Sequence, residues 1–583
     1  YWLCRVIGLG RGVSVAGGVI GMTAGSLVAR ISSGFNLAQS FQHAWMAPTL
    51  ASFVVALRTG RPGPVAVSAF SYAMLFHAGN VYLWLLLSAV MLLFLAGYAV
   101  DWRLDAGGRA VTVRWRSAMA GALVFGLGAL LDAPQGLPMV DMRAFADKPI
   151  DVTFRGTQPV IPTLLSFVIA DKRFWERELL GASPLGWGVH YAYVGASVFA
   201  FLPLLVPALG HYRRRDLYLL LIGAALTVAW AAARYTFMYA VWQAWDLMRQ
   251  LRYWSTGTHV TTILIVPLLL SGAEYARYRL WAARDWLDGV GPSVIPVRLL
   301  GLRVRGYRAR RVRIGVLRTA LWLALAWMVI RAAQDPWVTN RPEWNTPPFP
   351  IGAQQVFGWL RQHDPGVYYV HNHENFFRSF ANTSQVEFEV PILNSVWLFT
   401  PRLQPTAGAP EGGLFHAGAK YVVAPRGAQP LPNTQVIREL DFGVVYTAPP
   451  GLPFAFVADP QRLPYGRAAS ASALASGQVV EVPVRFDGPN RIIATVPPTA
   501  PAAYTQLVVM QTYSSGWHVA GPGGNAWVGP AGGFIGVPGA APGEYRLSFL
   551  PRSFVVGSTL GAAGLVSLVA LFALELVWAR RQP

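Results

Sequence analysis

Cysteine is almost missing from this 583-residue chain: Cys4 stands alone, which excludes an internal disulfide framework and any cysteine-based metal site. Lysine is nearly as scarce, at Lys148, Lys172 and Lys420, so arginine carries the net charge of +20. Charged residues of all kinds make up only 13%, about half the share in an average soluble protein. No Walker loop, dinucleotide-binding glycine fingerprint or nucleophile elbow occurs in a supporting context, so the common nucleotide and acyl-transfer machineries have no signature here. What fills the space is apolar: 54% hydrophobic residues and a mean hydropathy of +0.37 define a polytopic membrane protein. The chain opens on Tyr1 rather than Met, no signal peptide is visible, and 1–7 reads as a helix already under way. A longer chain upstream is therefore expected.

The stretch 276–313 orients the rest, with ten arginines against two acids, Asp285 and Asp288. Such a patch would suit nucleic-acid phosphates, but apolar spans flank it at 258–275 and 314–330. A short basic loop between two spans stays cytoplasmic, because Lys and Arg resist translocation. No nucleic-acid partner is expected. Alternating outward from that loop, the Arg-rich segments 1–11, 58–61, 101–116 and 211–216 and the C-terminal Arg580-Arg581 fall inside. Segments 30–43, 132–186, 234–257 and 334–555 fall outside.

About ten spans result. The first, 12–28, is rich in glycine and suits close packing inside a bundle. The stretch 44–57 is short for a crossing and reads as a tilted or re-entrant helix. Further spans are expected at 64–77, 81–100, 117–131, 187–209 and 217–233, and a final anchor at 556–577.

The long outer region is soluble in character. Helical spacing over 351–362 leads through Asp364-Pro365-Gly366 into a strand at 367–371, and 414–424 repeats the helix–strand order, which points to a small α/β unit. From about 453 short alternating strands at 478–486, 491–496, 507–513, 517–520 and 545–549 read as a β-sandwich, with Trp517 in its core and His518 facing out. The domains expected are therefore 1–333 (membrane), 334–452 (α/β), 453–555 (sandwich) and 556–583 (anchor helix and tail).

Several segments are similar to those of YfhO-like bacterial membrane proteins. Gly418-Ala419-Lys420-Tyr421-Val422 after Leu414 resembles that family's G-(V/A)-K-Y-V signature before a strand. Val444-Val445-Tyr446 with 453–457, then Tyr513-Ser514-Ser515-Gly516-Trp517, then 533–537 with 543–547, and Pro551–Gly557 follow in the family's order. Trp2-Leu3-Cys4-Arg5 with Gly8-Leu9 resembles a segment several helices into the full protein. Membrane proteins named for a 6-pyruvoyl-tetrahydropterin-synthase-related domain share this layout. Both groups look like GT-C glycosyltransferases, and the resemblance implies a GT-C-like bundle in the bacterial plasma membrane with its α/β and sandwich domains extracytoplasmic. It implies a polyprenyl-phosphate sugar as donor, an envelope glycan or lipid as acceptor, and an acidic residue in the first external loop, which would lie upstream of Tyr1.

Within the chain, the external acids Asp132, Asp141, Asp147 and Asp151 could take an acceptor's proton in an inverting transfer, or be solvated loop acids. Arg249 and Arg252 are unexpected on the outer side and suit a lipid phosphate; interfacial anchoring among Tyr235, Tyr239, Trp242 and Trp245 is the plainer alternative. Arg234 is a third cation, for which anchoring is favoured. His371, His373 and Glu374 lack the further ligands a zinc site needs, so no metal or other cofactor is indicated, and a divalent ion for the reaction is left open. Asn382 heads a glycosylation sequon by pattern only, and His43 and His190 read as packed or wetted side chains. The competing reading is a non-enzymatic protein that exports or scaffolds envelope glycans, with the sandwich as a carbohydrate-binding module. A transporter fits less well, since paired broken helices are not seen.

Overall fold

The computed structural model describes residues 1–24, 37–78, 81–105, 108–142, 159–169, 192–212, 215–244, 257–289, 298–299, 302–303, 307–344, 351–364, 369–372, 392–393, 419–427, 434–441, 443–447, 453–461, 479–488, 490–531 and 534–580. Two compact units emerge: 1–132 with 150–345 and 562–583, and 133–149 with 346–561.

The first unit is helical. Its helices are α1 (Trp2–Val6), α2 (Arg11–Met22), α3 (Leu37–Thr59), α4 (Pro62–His77), α5 (Val81–Ala99), α6 (Trp115–Met142), α7 (Val160–Leu165), α8 (Leu202–Tyr212), α9 (Arg215–Ala231), α10 (Met238–Ala244), α11 (Gly257–Gly289) and α12 (Tyr307–Trp344). Five helices of the whole chain are long and apolar enough to cross a membrane among the described residues: α5, α6, α11, α12 and the C-terminal helix α14 (Arg552–Arg580). Helices α4 and α9 cover expected spans but are shorter, at 16 and 17 residues. Helix α11 is central, with 83% of its most apolar window buried, against 6% for α12 and 11% for α14. Small residues set these packings: a Cβ on Gly97 would sit 2.7 Å from Leu219, and one on Gly272 would sit 2.6 Å from the Phe201 carbonyl oxygen.

Several boundaries differ from the sequence reading for identifiable reasons. Helix α3 has 23 residues rather than the short crossing expected, because it starts in the polar stretch before 44, where Gln42 and His43 are buried. Helix α6 runs on through Pro134 and Pro138 to Met142, so Asp132 and Asp141 sit on a helix and not in a loop. Membrane helices tolerate such prolines when neighbours re-satisfy the freed carbonyls. Of the segment expected as one span at 187–209, the described part from 192 is non-helical up to Gly195 (φ 117°), then forms a 3-10 turn, Ala196–Phe201, that leads into α8. The basic segment 276–313 is largely taken up by the ends of α11 and α12, since arginine is a good helix former. Between them lies the two-residue pairing of β3 (Arg298–Leu299) with β4 (Leu302–Arg303), and 101–116 holds the hairpin β1 (Val100–Asp105) and β2 (Gly108–Val113).

In the second unit, α13 (Ile351–His363) buries Val356, Phe357 and Leu360 against a five-stranded sheet. The strands are β5 (Tyr369–Asn372), β6 (Ile392–Leu393), β7 (Ala419–Pro425), β8 (Gln435–Leu440) and β9 (Gly443–Thr447), ordered β6-β5-β7-β9-β8. Strands β5, β6 and β7 are mutually parallel, as a helix–strand alternation requires, and the remaining pairs are antiparallel.

The sandwich follows, with β10 (Ala455–Ala458), β11 (Val479–Glu481), β12 (Val484–Phe486), β13 (Arg491–Val496), β14 (Gln506–Thr512), β15 (Trp517–Gly521), β16 (Gly524–Ala526), β17 (Gly529–Ala531), β18 (Phe534–Val537) and β19 (Gly543–Phe549). Two antiparallel five-stranded sheets form, β11-β10-β14-β18-β17 and β12-β13-β19-β15-β16. The run 478–486, which alternates as though it were one strand, passes from one sheet to the other at Val482-Pro483. The Val482 amide donates to the Ala455 carbonyl at 2.9 Å, and the Pro483 carbonyl accepts from the Thr495 amide at 2.9 Å. Proline has no N–H to continue the first ladder, so the crossing falls there. Trp517 lies in the core, its ring 5.1 Å from that of Phe549, while His518 faces out.

Candidate functional site

The tight turn at Gly60 (φ 61°) folds α3 and α4 into a hairpin, and the Gln42 side-chain amide donates to the Leu75 carbonyl at 2.7 Å. The start of α3 and the end of α4 therefore share one end of the helical unit. His259, near the start of α11, meets His43 edge to face with ring centroids 6.0 Å apart, so α11 begins at that end too. Both imidazoles are buried.

At the same end, His77 Nε2–H donates to the Leu131 carbonyl at 3.1 Å, since a carbonyl oxygen can only accept. The same nitrogen lies 3.8 Å from Oδ1 of Asp132. The Asp132 side chain is 8% exposed, and neither carboxylate oxygen has a hydrogen-bond partner among the described residues; the neighbouring His77 side chain is 34% exposed. Four residues earlier on α6, a Cβ at Gly128 would lie 2.5 Å from Tyr72, so the ring closes the space beneath. Tyr72 is held in turn by a 2.8 Å hydrogen bond with Ser88. A carboxylate taken out of water without donors is unfavourable, and such groups persist in membrane bundles where they have a task. Fixed on α6 beside the imidazole of α4, Asp132 is suited to taking up or releasing a proton.

The opposite end is built from arginine clamps. Arg58 pairs with Asp216 and donates to Tyr98 Oη at 2.8 Å and to the Val6 carbonyl at 2.6 Å, while Tyr98 Oη donates to Asp216. Four helix ends, those of α1, α3, α5 and α9, meet there. Arg61 pairs with Glu575 of α14 and lies 4.4 Å over the Trp578 ring, and the Gly63 amide donates to Glu575 at 3.0 Å. Glu274 pairs with Arg277 and accepts from the Gly10 amide at 3.1 Å. A Cβ on Gly63 would lie 2.8 Å from Glu575, so glycine is what lets the carboxylate reach the backbone.

Of the residues singled out from sequence, Asp141 accepts a 3.0 Å hydrogen bond from Ser553 at the start of α14. Arg234 is exposed in a 3-10 turn, Ala233–Tyr235. Asp147, Asp151, Arg249, Arg252, His190, His373, Glu374 and Asn382 lie outside the described residues, as does the side chain of His371. Among the described residues no group of three or more His, Cys, Asp and Glu side chains could hold a metal ion. His77 and His259 were not singled out; the available signal was an ionisable residue at the mouth of an apolar span.

The segments that carry the family resemblance have structural work. Lys420 and Tyr421 both hold Asp364, at 2.6 and 3.0 Å, tying the start of β7 to the end of α13. Gly516 and Pro551, from two separate segments, meet so closely that a Cβ on Gly516 would lie 2.7 Å from Pro551, and the Leu550 amide donates to the Gly516 carbonyl at 2.8 Å. Gly557 lets α14 approach α6, where a Cβ would lie 2.3 Å from the Ala133 carbonyl oxygen.

The chain combines a multi-pass helical membrane region with β-sheet domains. No family model matches it, and no curated protein matches it either. Among solved structures it is similar to the arabinofuranosyltransferase AftD from mycobacteria, at 12% identity and a TM-score of 0.42, over 94% of this chain and 50% of that one. Two classes of the R1389S mutant of AftD give TM-scores of 0.33 and 0.32 at the same identity. The chain thus spans about half the length of AftD, and a likeness at this level carries no argument about activity.

Proposed function

We propose that this protein is a GT-C-like membrane glycosyltransferase that moves a sugar from a polyprenyl-phosphate donor to an envelope glycan or lipid, with Asp132 as general base. The observation that carries this reading is the buried Asp132 carboxylate beside His77. In the step proposed, the acceptor hydroxyl gives its proton to Asp132 and its oxygen bonds to the anomeric carbon. The bond from that carbon to the phosphate oxygen breaks, and polyprenyl phosphate departs with the electron pair. His77, fixed by the Leu131 carbonyl, is a positioning residue that orients the acceptor hydroxyl toward Asp132. Arg249 and Arg252 are assigned to the phosphate, where paired guanidinium forks neutralise the charge that develops on the leaving group. The end bearing His77 and Asp132 is taken as the external one, from the alternation of arginine-rich segments.

The test is sugar transfer from a polyprenyl-phosphate sugar by the full-length protein in membranes, wild type against Asp132→Asn at matched expression. A loss of about 10²–10⁴-fold is expected for a missing general base. Transfer at the wild-type rate would remove Asp132 from the reaction.

One observation favours a second reading, a sandwich that binds glycans without transferring them. Trp527 is 61% exposed, and its ring edge passes over Gly529, where a Cβ would lie 2.2 Å from it. Exposed indole rings suit stacking on sugars. Glycan retention by the wild type that disappears in Trp527→Ala, with transfer absent from both, would support this reading over the first.

A further inference from the structure

A groove of about 360 Å³ runs along the helical unit between α9 and α11, with residues of α7 and α8 completing its wall. Leu221, Ala225 and Ala229 line one side, and Thr261, Ile265 and Leu269 line the other. The two hydroxyls in the lining are already engaged. Thr261 donates to Thr227 Oγ1 at 2.8 Å, and Thr236 donates to the Ala229 carbonyl at 2.8 Å. With no polar group left to recognise a polar ligand, the groove suits hydrocarbon, and unfilled apolar walls forfeit their dispersion contacts.

Its direction and depth narrow the occupant. Helices α9 and α11 are antiparallel here: Thr261 pairs with Thr227 near one end, and Gly223 faces Leu264 further along. From Leu221 to Ala229, or from Thr261 to Leu269, the groove follows eight residues, about 12 Å of helix. Thr236 closes one end, directly after the turn that carries Arg234. Tyr235, Phe237 and Tyr239 are exposed around that turn, the pattern of an interfacial aromatic belt. From the interface inward, about 12 Å stays within one leaflet of a hydrocarbon core about 30 Å thick.

We infer that the groove holds one acyl chain of an anionic phospholipid, with the headgroup phosphate on Arg234. An acyl chain is confined to one leaflet, as the groove is, whereas a polyprenyl chain outruns it. Arg234, exposed at the groove's interfacial end, supplies the charge complementarity for the phosphate. This site is separate from the transfer reaction, needs only the membrane location of the helical unit, and leaves Arg249 and Arg252 to the donor.

The experiment reconstitutes the full chain in nanodiscs of equal parts phosphatidylglycerol and phosphatidylcholine, extracts it into detergent, and counts retained lipids by native mass spectrometry. Wild type is expected to keep one phospholipid, with phosphatidylglycerol preferred about fivefold for one interfacial arginine. Arg234→Gln should keep the lipid and lose the preference. Ala225→Trp, at an exposed lining position, should lose the lipid at an unchanged melting temperature; Ala229→Phe serves the same purpose if Ala225→Trp does not fold. Undiminished retention in the folded filling variant would overturn the proposal. So would displacement of phosphatidylglycerol by added polyprenyl phosphate, which would give the groove to the donor, and so would an unchanged headgroup preference in Arg234→Gln. Sugar transfer is measured separately, so loss of this site and loss of the transferase reading are told apart.

Discussion

The two ends of the helical unit use ionisable residues in opposite ways. At the clamped end, Arg58, Arg61 and Arg277 each pair with a carboxylate, and those carboxylates also take backbone amides or a tyrosine hydroxyl. At the other end, Asp132 has an imidazole at 3.8 Å and no donor among the described residues, and two buried histidines meet edge to face. Satisfied charges lock helices together, because removing one partner leaves the other buried and unpaired. A buried acid without donors gains nothing for folding from partners, and a perturbed ionisable group of this kind is a candidate for a functional role. The contrast separates residues whose loss should unfold the protein from residues whose loss should silence it.

Substitutions at each end can break or sharpen that contrast. The largest effect expected is on chemistry: Asp132→Asn should leave the melting temperature unchanged or higher while transfer falls by about 10²–10⁴-fold. A variant that instead melts early would put Asp132 among the structural acids. At the clamped end the order reverses. Asp216→Ala should destabilise by about 3 kcal/mol, toward the low end for a buried pair because Arg58 is one-third exposed, read as a shift in the denaturation midpoint in detergent. Gly63→Val follows at about 1–3 kcal/mol, the cost of forcing a side chain where Glu575 now lies, measured the same way; an unchanged midpoint would mean α14 does not depend on this contact. Arg61→Gln should cost least, about 1 kcal/mol or less, since this pair is the more exposed one and is screened by water. A loss larger than that of Asp216→Ala would reverse the ranking of the clamps.

Much of the architecture was legible in the chain. Apolar runs of membrane length mark α5, α6, α11, α12 and α14, because a helix that must satisfy its own backbone in hydrocarbon needs a long uninterrupted apolar stretch. Period-two alternation marks β15 and β19, down to Trp517 in and His518 out, because a pleated strand sends successive side chains to opposite faces. Arginine content separated the loops into two sets, which is a statement about charge and needs no coordinates.

Pairing was not legible. Nothing local to Arg58 names Asp216, 158 residues away, as its partner, and nothing local to Arg61 names Glu575, 514 residues away. Both arginines read simply as orientation charges. His77 and Asp132 are separated by α5 and a hairpin, and they meet only because α6 returns beside α4. The groove beside Arg234 likewise needs two helices to run antiparallel with Ala225 and Ala229 facing the same gap. The sequence by itself determined which stretches are helix or strand and which are apolar, since those follow from covalent spacing and solvent preference along the chain. Which charge meets which, and where an acid is left without a donor, was decided only by tertiary packing, because those energies depend on distances between segments that share no local pattern.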